Sequence, residues 1–464
     1  MVLICSVVVM LLVLGYDIVT DVEKSSQVTQ EEGQQRKGLL VVADQNSAAQ
    51  RRLLKAKDDG HNLNGSVEFV HSSALLDSTE YVEQNSNPID SFAKMMKAGL
   101  DVKGKAFFFC AQNQPIYKPV QEFKNPCWWE ENVPENTCPL AEGAVKKSLR
   151  WMELRWGKIL RCLPYFFIIG QAKCGTTTLF SRISQHPEVA PHAMKETHWM
   201  CHGRLKPSCS SIETYIDLLQ ISSLFIQSRQ REGEVSQYVI GDATPNHFST
   251  HGFWGMLPGN EGCAEPCVTD ADVIHHVNPR AKLLLILRNP TTRMSCIFTL
   301  YSHYLFKAML YKRNVSKQDF HDLVVTQIAN FQNCLTLQSL RGCSYNYSFS
   351  HYMTSSVDLR GSIYQVFLTD WMEKFPKDQI HVVKFEEFVE NEKAHLTEIF
   401  KFLKLSNLSD EKLESITNMK ALNQRIYRAD IGDMMNSTRV LLDSFYKPYN
   451  EKLAKFLKNE KWNW

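Results

Sequence analysis

The chain has 464 residues, enough for one large domain with a substantial appendage or for two or three ordinary domains. Hydrophobic residues make up 44% and charged residues 22%, a globular balance that excludes wholesale disorder. With 52 Lys and Arg against 50 Asp and Glu the net charge is +2, so global charge gives no basis for a nucleic-acid partner.

At the start of the chain, Val2 to Leu14 is apolar except for Ser6 and closes at Gly15-Tyr16-Asp17. The run is shorter than the ~20 residues of a usual bilayer span and equally suits the core of a secretory signal. The expectation for 1–16 is a signal-anchor, with a cleaved signal and a buried core helix as the alternatives. Either of the first two sends the remainder into the secretory lumen. N-glycosylation tripeptides at Asn64, Asn314, Asn346, Asn407 and Asn436 agree with that compartment. So do the cysteines, 13 in all: Cys263/Cys267 and Cys334/Cys343 are close enough in sequence to bridge. A zinc site is the competing reading of these pairs, and they lack its companion Cys or His spacing.

Residues 17–104 are polar and poor in aromatics, a composition that cannot bury enough apolar surface to fold alone. They read as a luminal stem, largely disordered. At Lys105-Ala106-Phe107-Phe108-Phe109-Cys110 the character changes, and 105–464 is expected to form the folded domain.

Within it, Tyr165–Ile169, Tyr238–Ile240, Leu283–Leu287 and His381–Phe385 read as buried strands. Thr176–Gln185, Ser362–Phe375 and Glu390–Leu403 read as helices. The alternation predicts an α/β fold, a central parallel sheet flanked by helices. In such sheets ligands bind at the carboxyl ends of the strands, so residues just after each strand carry the most functional weight.

One such segment is Tyr165-Phe-Phe-Ile-Ile-Gly170-Gln-Ala-Lys173-Cys174-Gly175-Thr176-Thr177-Thr178. A hydrophobic strand enters a glycine-containing loop that opens a helix, where free amides and the helix dipole favour an anion. Gly175 permits close backbone approach, Thr176 and Thr177 offer hydroxyls, and Lys173 offers a full charge. A nucleotide-triphosphate loop would place Lys directly after the second Gly; here Thr176 stands there.

This loop, with His186-Pro187-Glu188-Val189 and Lys195-Glu196-Thr197-His198-Trp199, resembles the Golgi carbohydrate sulfotransferases that use 3′-phosphoadenosine 5′-phosphosulfate (PAPS). The resemblance runs from about Phe107 to the C-terminus. It implies the PAPS-dependent sulfotransferase fold, with its P-loop-like parallel sheet, and a cofactor-binding loop at Lys173, Cys174, Gly175, Thr176, Thr177 and Thr178. It implies PAPS as donor with no metal, a sulfated glycosaminoglycan as acceptor, and a single-pass type II Golgi membrane protein with its catalytic domain in the lumen. Asn125-Pro126-Cys127-Trp128 and Leu163-Pro164 point, within the family, to the 6-hydroxyl of N-acetylgalactosamine 4-sulfate in chondroitin or dermatan sulfate.

The resemblance further implies that the arginine ending a later strand and a serine eight residues on hold the 3′-phosphate of the cofactor. Arg288 fits by position and by its bidentate chemistry. The eighth position, however, is Cys296, with Ser295 one place earlier and turned by about 100° on a helix. Both are carried as candidates.

Sulfuryl transfer builds negative charge on the leaving phosphate, which Lys173 and the threonines are placed to meet. The incoming hydroxyl must lose a proton, and Glu196 is the expected base, with His198 orienting it or touching substrate. Asp242 is the reserve base, or else a helix cap. Arg182, Lys195, Arg204 and Lys206 are candidates for a basic acceptor groove, and Arg360 for a substrate sulfate. Asn423-Gln424-Arg425 lies where related enzymes carry a basic loop, but without their Lys-Gly pair. Two alternatives stand beside this reading: a P-loop kinase-like nucleotide-binding enzyme and a catalytically silent binder of sulfated glycans.

Overall fold

A computed structural model describes residues 117–131, 138, 157–192, 194–201, 203–205, 209–249, 254–257, 259–297, 316–346, 358–420, 422 and 433–464. The chain divides into two units at Ser91/Phe92, and every described residue belongs to the second. The expected signal-anchor (1–16) and stem (17–104) lie outside the described residues, as do Asn64, Lys206, Asn314 and the 423–425 loop.

Two strands, β1 (Cys127–Glu130) and β2 (Ile159–Cys162), pair antiparallel with Cys127 opposite Cys162, and a disulfide joins those two residues. The main sheet uses β3 (Phe166–Gly170), β4 (Gly241–Asp242), β5 (Lys282–Leu287) and β6 (Ile380–Lys384), in the order β4-β3-β5-β6. All three pairings are parallel, as the alternating pattern predicted. Residues alternate across it: Phe167 and Ile169 with Leu283, Leu285 and Leu287 enter one core, whereas Phe166 and Ile168 with Leu284 and Ile286 enter the other. Side chains of period two, apolar on both faces, require cover on both sides, and helices supply it.

On one face lie α1 (Thr176–Ile183) and, after β6, α8 (Phe385–Glu390), α9 (Glu392–Phe402) and α10 (Asp410–Thr417), whose apolar residues fill the second core. On the other lie α2 (Ile212–Leu218), α3 (Gln220–Arg229), α4 (Asp270–Val277) and α7 (Tyr364–Lys374). A third cluster joins α5 (Lys317–Leu335) to α11 (Asn436–Leu457), and α6 (Leu340–Tyr345) follows α5.

Three element boundaries differ from expectation, each for a local reason. The strand expected at Tyr238–Ile240 enters the ladder only at Gly241, because the Asn125 carboxamide occupies the Ile240 amide at 2.8 Å. A 3-10 turn at Arg360–Ser362 precedes α7, so that helix starts at Tyr364. The helix expected over Glu390–Leu403 breaks at Asn391, whose side chain caps α9 by accepting from the Ala394 amide at 3.1 Å.

Both expected bridges form, Cys263–Cys267 and Cys334–Cys343. Two long-range bridges, Cys127–Cys162 and Cys138–Cys209, join partners too far apart in sequence for spacing to reveal. The acceptor asparagines Asn346, Asn407 and Asn436 are exposed.

Leu285 sits at the centre of β5 with no exposed surface. Leu285→Ala is expected to cost about 2–5 kcal/mol by leaving a cavity between sheet and helices, read as a lowered midpoint in urea denaturation.

Candidate active site

The loop between β3 and α1 stands at the carboxyl end of the sheet, and its shape follows from two left-handed residues, Lys173 (φ 68°) and Gly175 (φ 90°). Gly175 is the N-cap of α1 and no side chain caps that helix. The first intrahelical bond runs from the Leu179 amide to the Gly175 carbonyl at 3.0 Å, so the amides before it precede the ladder. A Cβ on Gly175 would stand 2.7 Å from the Phe385 ring, so glycine is required there twice, by φ and by space.

The loop is tied down from below. Gln171 donates to the Ser249 hydroxyl at 2.8 Å and to the Gly361 carbonyl at 2.5 Å. Arg293, only 1% exposed, donates Nε to the Ala172 carbonyl at 2.8 Å and Nη1 to the Ser362 hydroxyl at 2.8 Å. Its Nη2 forms an ion pair with Asp358. Burial alone would push the Arg293 pKa down, but Asp358 carries it above its ordinary value. Sequence reading missed Gln171 and Arg293 as site residues, because their partners are 65 to 190 positions away.

Lys173 is the exposed residue of this turn. Protein crowding around the loop lowers its pKa, opposed by the charges of Glu196 and Cys296 and aided by those of Arg293 and Lys195. Residues from three separate sequence motifs therefore share one electrostatic neighbourhood. Thr176 is buried and Thr177 is half-buried, while the Thr178 hydroxyl donates to the Leu422 carbonyl at 3.4 Å. Cys174 turns away from the loop: its thiol is fully buried, 3.8 Å from the Tyr364 hydroxyl, and burial pushes it up to about 11. Its amide donates to the Gln171 carbonyl at 3.1 Å, so neither group is presented to a ligand.

The second arm begins where β5 ends. Asn289 accepts from the Thr292 amide at 2.9 Å and Pro290 follows it, a cap and first-turn proline that start the helix running from 290. That start gives Ser295 and Cys296 different surroundings. Arg288 Nη1 donates to Cys296 Sγ at 2.9 Å, whereas Ser295 is buried, 6% exposed. The eight-residue spacing thus holds, with a thiol at its far end. The Arg288 guanidinium also stacks over Phe385, 4.5 Å from the ring centre, and its buried Nε has no hydrogen-bond partner among the described residues. An orphaned guanidinium N–H beside an uncapped helix start fits a bound phosphate.

The third segment carries Glu196. Burial would raise this carboxyl, but the hydrogen bond from His198 and the charge and hydrogen bond of Lys195 outweigh it and hold the pKa at about 2. His198 Nε2 lies 3.2 Å from one carboxylate oxygen, and Lys195 grips the other. Asp242, expected as the reserve base, is instead a buried anchor. It accepts from Thr197 at 2.8 Å, Tyr215 at 2.8 Å and Thr244 at 2.7 Å, which fixes the chain between Glu196 and His198.

Among the described residues, which do not include Lys206, the expected basic groove does not assemble. Arg182 is 1% exposed, bound to Glu392 and to the Met419 carbonyl, and Arg204 is buried. Lys195 is committed to Glu196. Arg360 is also buried, donating to the Asn346 carbonyl at 2.5 Å, and it lines a cavity with Asn330, Asn333 and Gln338. Among the described residues no His, Cys, Asp or Glu cluster is arranged as a metal site.

A family model described as a sulfotransferase domain matches residues 270–436, the stretch that holds Arg288 and Cys296. Carbohydrate sulfotransferase 15 of Homo sapiens is 33% identical over 374 residues, covering 74% of this chain and 65% of that protein. Carbohydrate sulfotransferase 15 of Nototodarus sloanii is 32% identical over 144 residues, covering 30% of this chain and 88% of that sequence. A crystal structure of a sulfotransferase from Alicyclobacillus acidocaldarius is 20% identical with a TM-score of 0.40, covering 65% of this chain and 98% of that one. The chain belongs to the carbohydrate sulfotransferase family. It spans just under two thirds of the length of the human, rat and mouse relatives it matches.

The Glu196 carboxyl is lowered in the folded protein, so the stability its partners provide is present above the ordinary carboxylate range and is lost as pH falls towards about 2. Lys195→Ala removes one of those partners, and the Glu196 titration, followed by carboxylate carbon-13 NMR, is expected to move up. A titration that stays where it was would show that His198 alone sets it.

Proposed function

We propose that the chain transfers a sulfuryl group from PAPS to a hydroxyl of a sulfated glycosaminoglycan, the 6-hydroxyl of N-acetylgalactosamine 4-sulfate in chondroitin or dermatan sulfate. The observation that carries this reading is the meeting of the uncapped, glycine-started N-terminus of α1 and the Arg288 guanidinium at one ring, that of Phe385, with Cys296 joined to Arg288 at 2.9 Å.

When bound, PAPS supplies an activated sulfuryl group on a phosphate leaving group. Lys173, the Thr176 and Thr177 hydroxyls and the first-turn amides of α1 meet the charge that develops on the departing oxygens. Arg288 holds the 3′-phosphate, with Cys296 fixing the guanidinium's second edge. Glu196 takes the proton of the acceptor hydroxyl as the new S–O bond forms. Its low pKa keeps it ionised throughout the physiological range, while His198 holds the carboxylate in place. The relatives' name, carbohydrate sulfotransferase 15, supports a carbohydrate acceptor, and the choice of hydroxyl rests on the resemblance carried by Asn125-Pro126-Cys127-Trp128 and Leu163-Pro164.

The proposed setting is the Golgi membrane, as a single-pass type II protein with a luminal catalytic domain. Four disulfides among the described residues support an oxidising compartment, as do the exposed acceptor asparagines. The apolar run Val2–Leu14 supports the anchor.

The test is transfer from sulfur-35 PAPS to a panel of unsulfated, 4-sulfated and 6-sulfated chondroitin, dermatan and heparan acceptors. The unmutated protein is expected to label 4-sulfated chains at position 6. Lys173→Ala is expected to lower kcat by about 10²–10³ and Glu196→Gln by about 10²–10⁴. Donor binding without transfer by the unmutated protein would overturn the assignment in favour of a silent binder.

A further inference from the structure

His198 holds a left-handed backbone conformation, φ 51°, which a non-glycine residue adopts only where its surroundings impose it. Two groups fasten its carbonyl: the Gly203 amide donates to it at 2.9 Å and the Cys201 thiol at 3.3 Å. The same sulfur lies 3.9 Å from His198 Nδ1, on the side of the ring away from Glu196. Cys201 is 1% exposed and takes part in none of the four disulfides. A thiol is both a weak donor and a weak acceptor, and its hydrogen rotates freely.

We propose that Cys201 is a positioning residue for the transfer reaction, turning its S–H between the His198 carbonyl and Nδ1 so that Nε2 stays on Glu196 in either protonation state. With neutral imidazole, S–H donates to Nδ1 and the Nε2 hydrogen goes to the carboxylate. With imidazolium, Nδ1–H donates to the sulfur and S–H returns to the carbonyl. No bond other than hydrogen bonds changes, and the carboxylate keeps its partner throughout. Burial and the nearby Asp270 and Asp242 charges push the thiol well above its ordinary value, against Arg204, so it remains a protonated donor. The partner on the far side of a functional histidine commonly fixes its tautomer and ring orientation.

The kinetic part of this inference rests on Glu196 as the base; the structural part does not. The full chain labelled with nitrogen-15 histidine reports the His198 tautomer by NMR, alongside steady-state sulfate transfer. Cys201→Ala is expected to shift the His198 Nδ1 signal, which loses its hydrogen-bond partner, while Nε2 stays protonated on the carboxylate. It is also expected to lower kcat about tenfold and leave KM for PAPS within about twofold. Cys201→Ser keeps a rotating donor and is expected to restore both readouts. Unmoved His198 signals in the alanine variant would overturn the inference. So would an equal kcat loss in both variants with a raised donor KM, the mark of a packing role alone. If Glu196→Gln keeps full activity the base assignment fails, and the His198 Nδ1 signal still decides whether Cys201 is bonded to the ring.

Discussion

A single buried guanidinium organises the β3–α1 loop. Arg293 leaves the helix after β5, reaches under the β3–α1 loop to the Ala172 carbonyl, and ends on Asp358 and Ser362 ahead of α7. A charge so deeply buried costs several kcal/mol unless its partners are placed to meet it. Here those partners are the backbone of the loop and the turn below it, so the requirement to satisfy Arg293 becomes a requirement on loop shape. Gln171 repeats the logic with a neutral group, binding Ser249 on one side and Gly361 on the other. The exposed Lys173 can therefore sit on a left-handed turn whose neighbours on either side are fixed.

The segment that carries Glu196 is built by a different device. Asp242 at the end of β4 gathers three hydroxyls, one of them from Thr197, and so sets the two flanking residues, Glu196 and His198, at the sheet's carboxyl edge. Hydroxyl donors satisfy the buried carboxylate without adding a cation, and so leave it unavailable to a substrate proton. Glu196 has the opposite surroundings, half-buried between Lys195 and His198. Of the two carboxylates considered for the proton, one is locked in the core and the other meets the opening. That division of roles comes from burial and partner type, which residue identity alone does not carry.

Much of the framework was legible because it depends on local pattern. Apolar runs of strand length, a glycine before three threonines and an Asn-Pro pair after β5 each state their structure within a few residues. The strands near Tyr165, Leu283 and His381 were found within one position of their limits for that reason. What stayed hidden depends on contacts distant in sequence. Arg182 and Arg204 look like surface cations in a string of letters, and only the packing of α1 against α9 shows that Arg182 is an internal ion-pair partner of Glu392. The Tyr238–Ile240 strand was misplaced for a similar reason, since Asn125, 115 positions away, takes the amide the sheet would have used. Cys296 was legible as a departure, but which side of the helix it faced depended on the cap at Asn289.

Phe385 is the steric link between the β3–α1 loop and the segment that carries Arg288. Its ring occupies the space where a Cβ on Gly175 would fall, and it also carries the Arg288 guanidinium. The residue follows β6 directly and begins α8, so sheet register places it rather than any feature of the loop. A cation over an aromatic face is weakly held by the ring's quadrupole and keeps its N–H groups in the ring plane direction, available for hydrogen bonding at the edge. Arg288 thereby gains an attractive contact without a carboxylate, which would have neutralised the charge that a phosphate needs. Glycine beside the ring and arginine over it are thus two responses to one aromatic side chain.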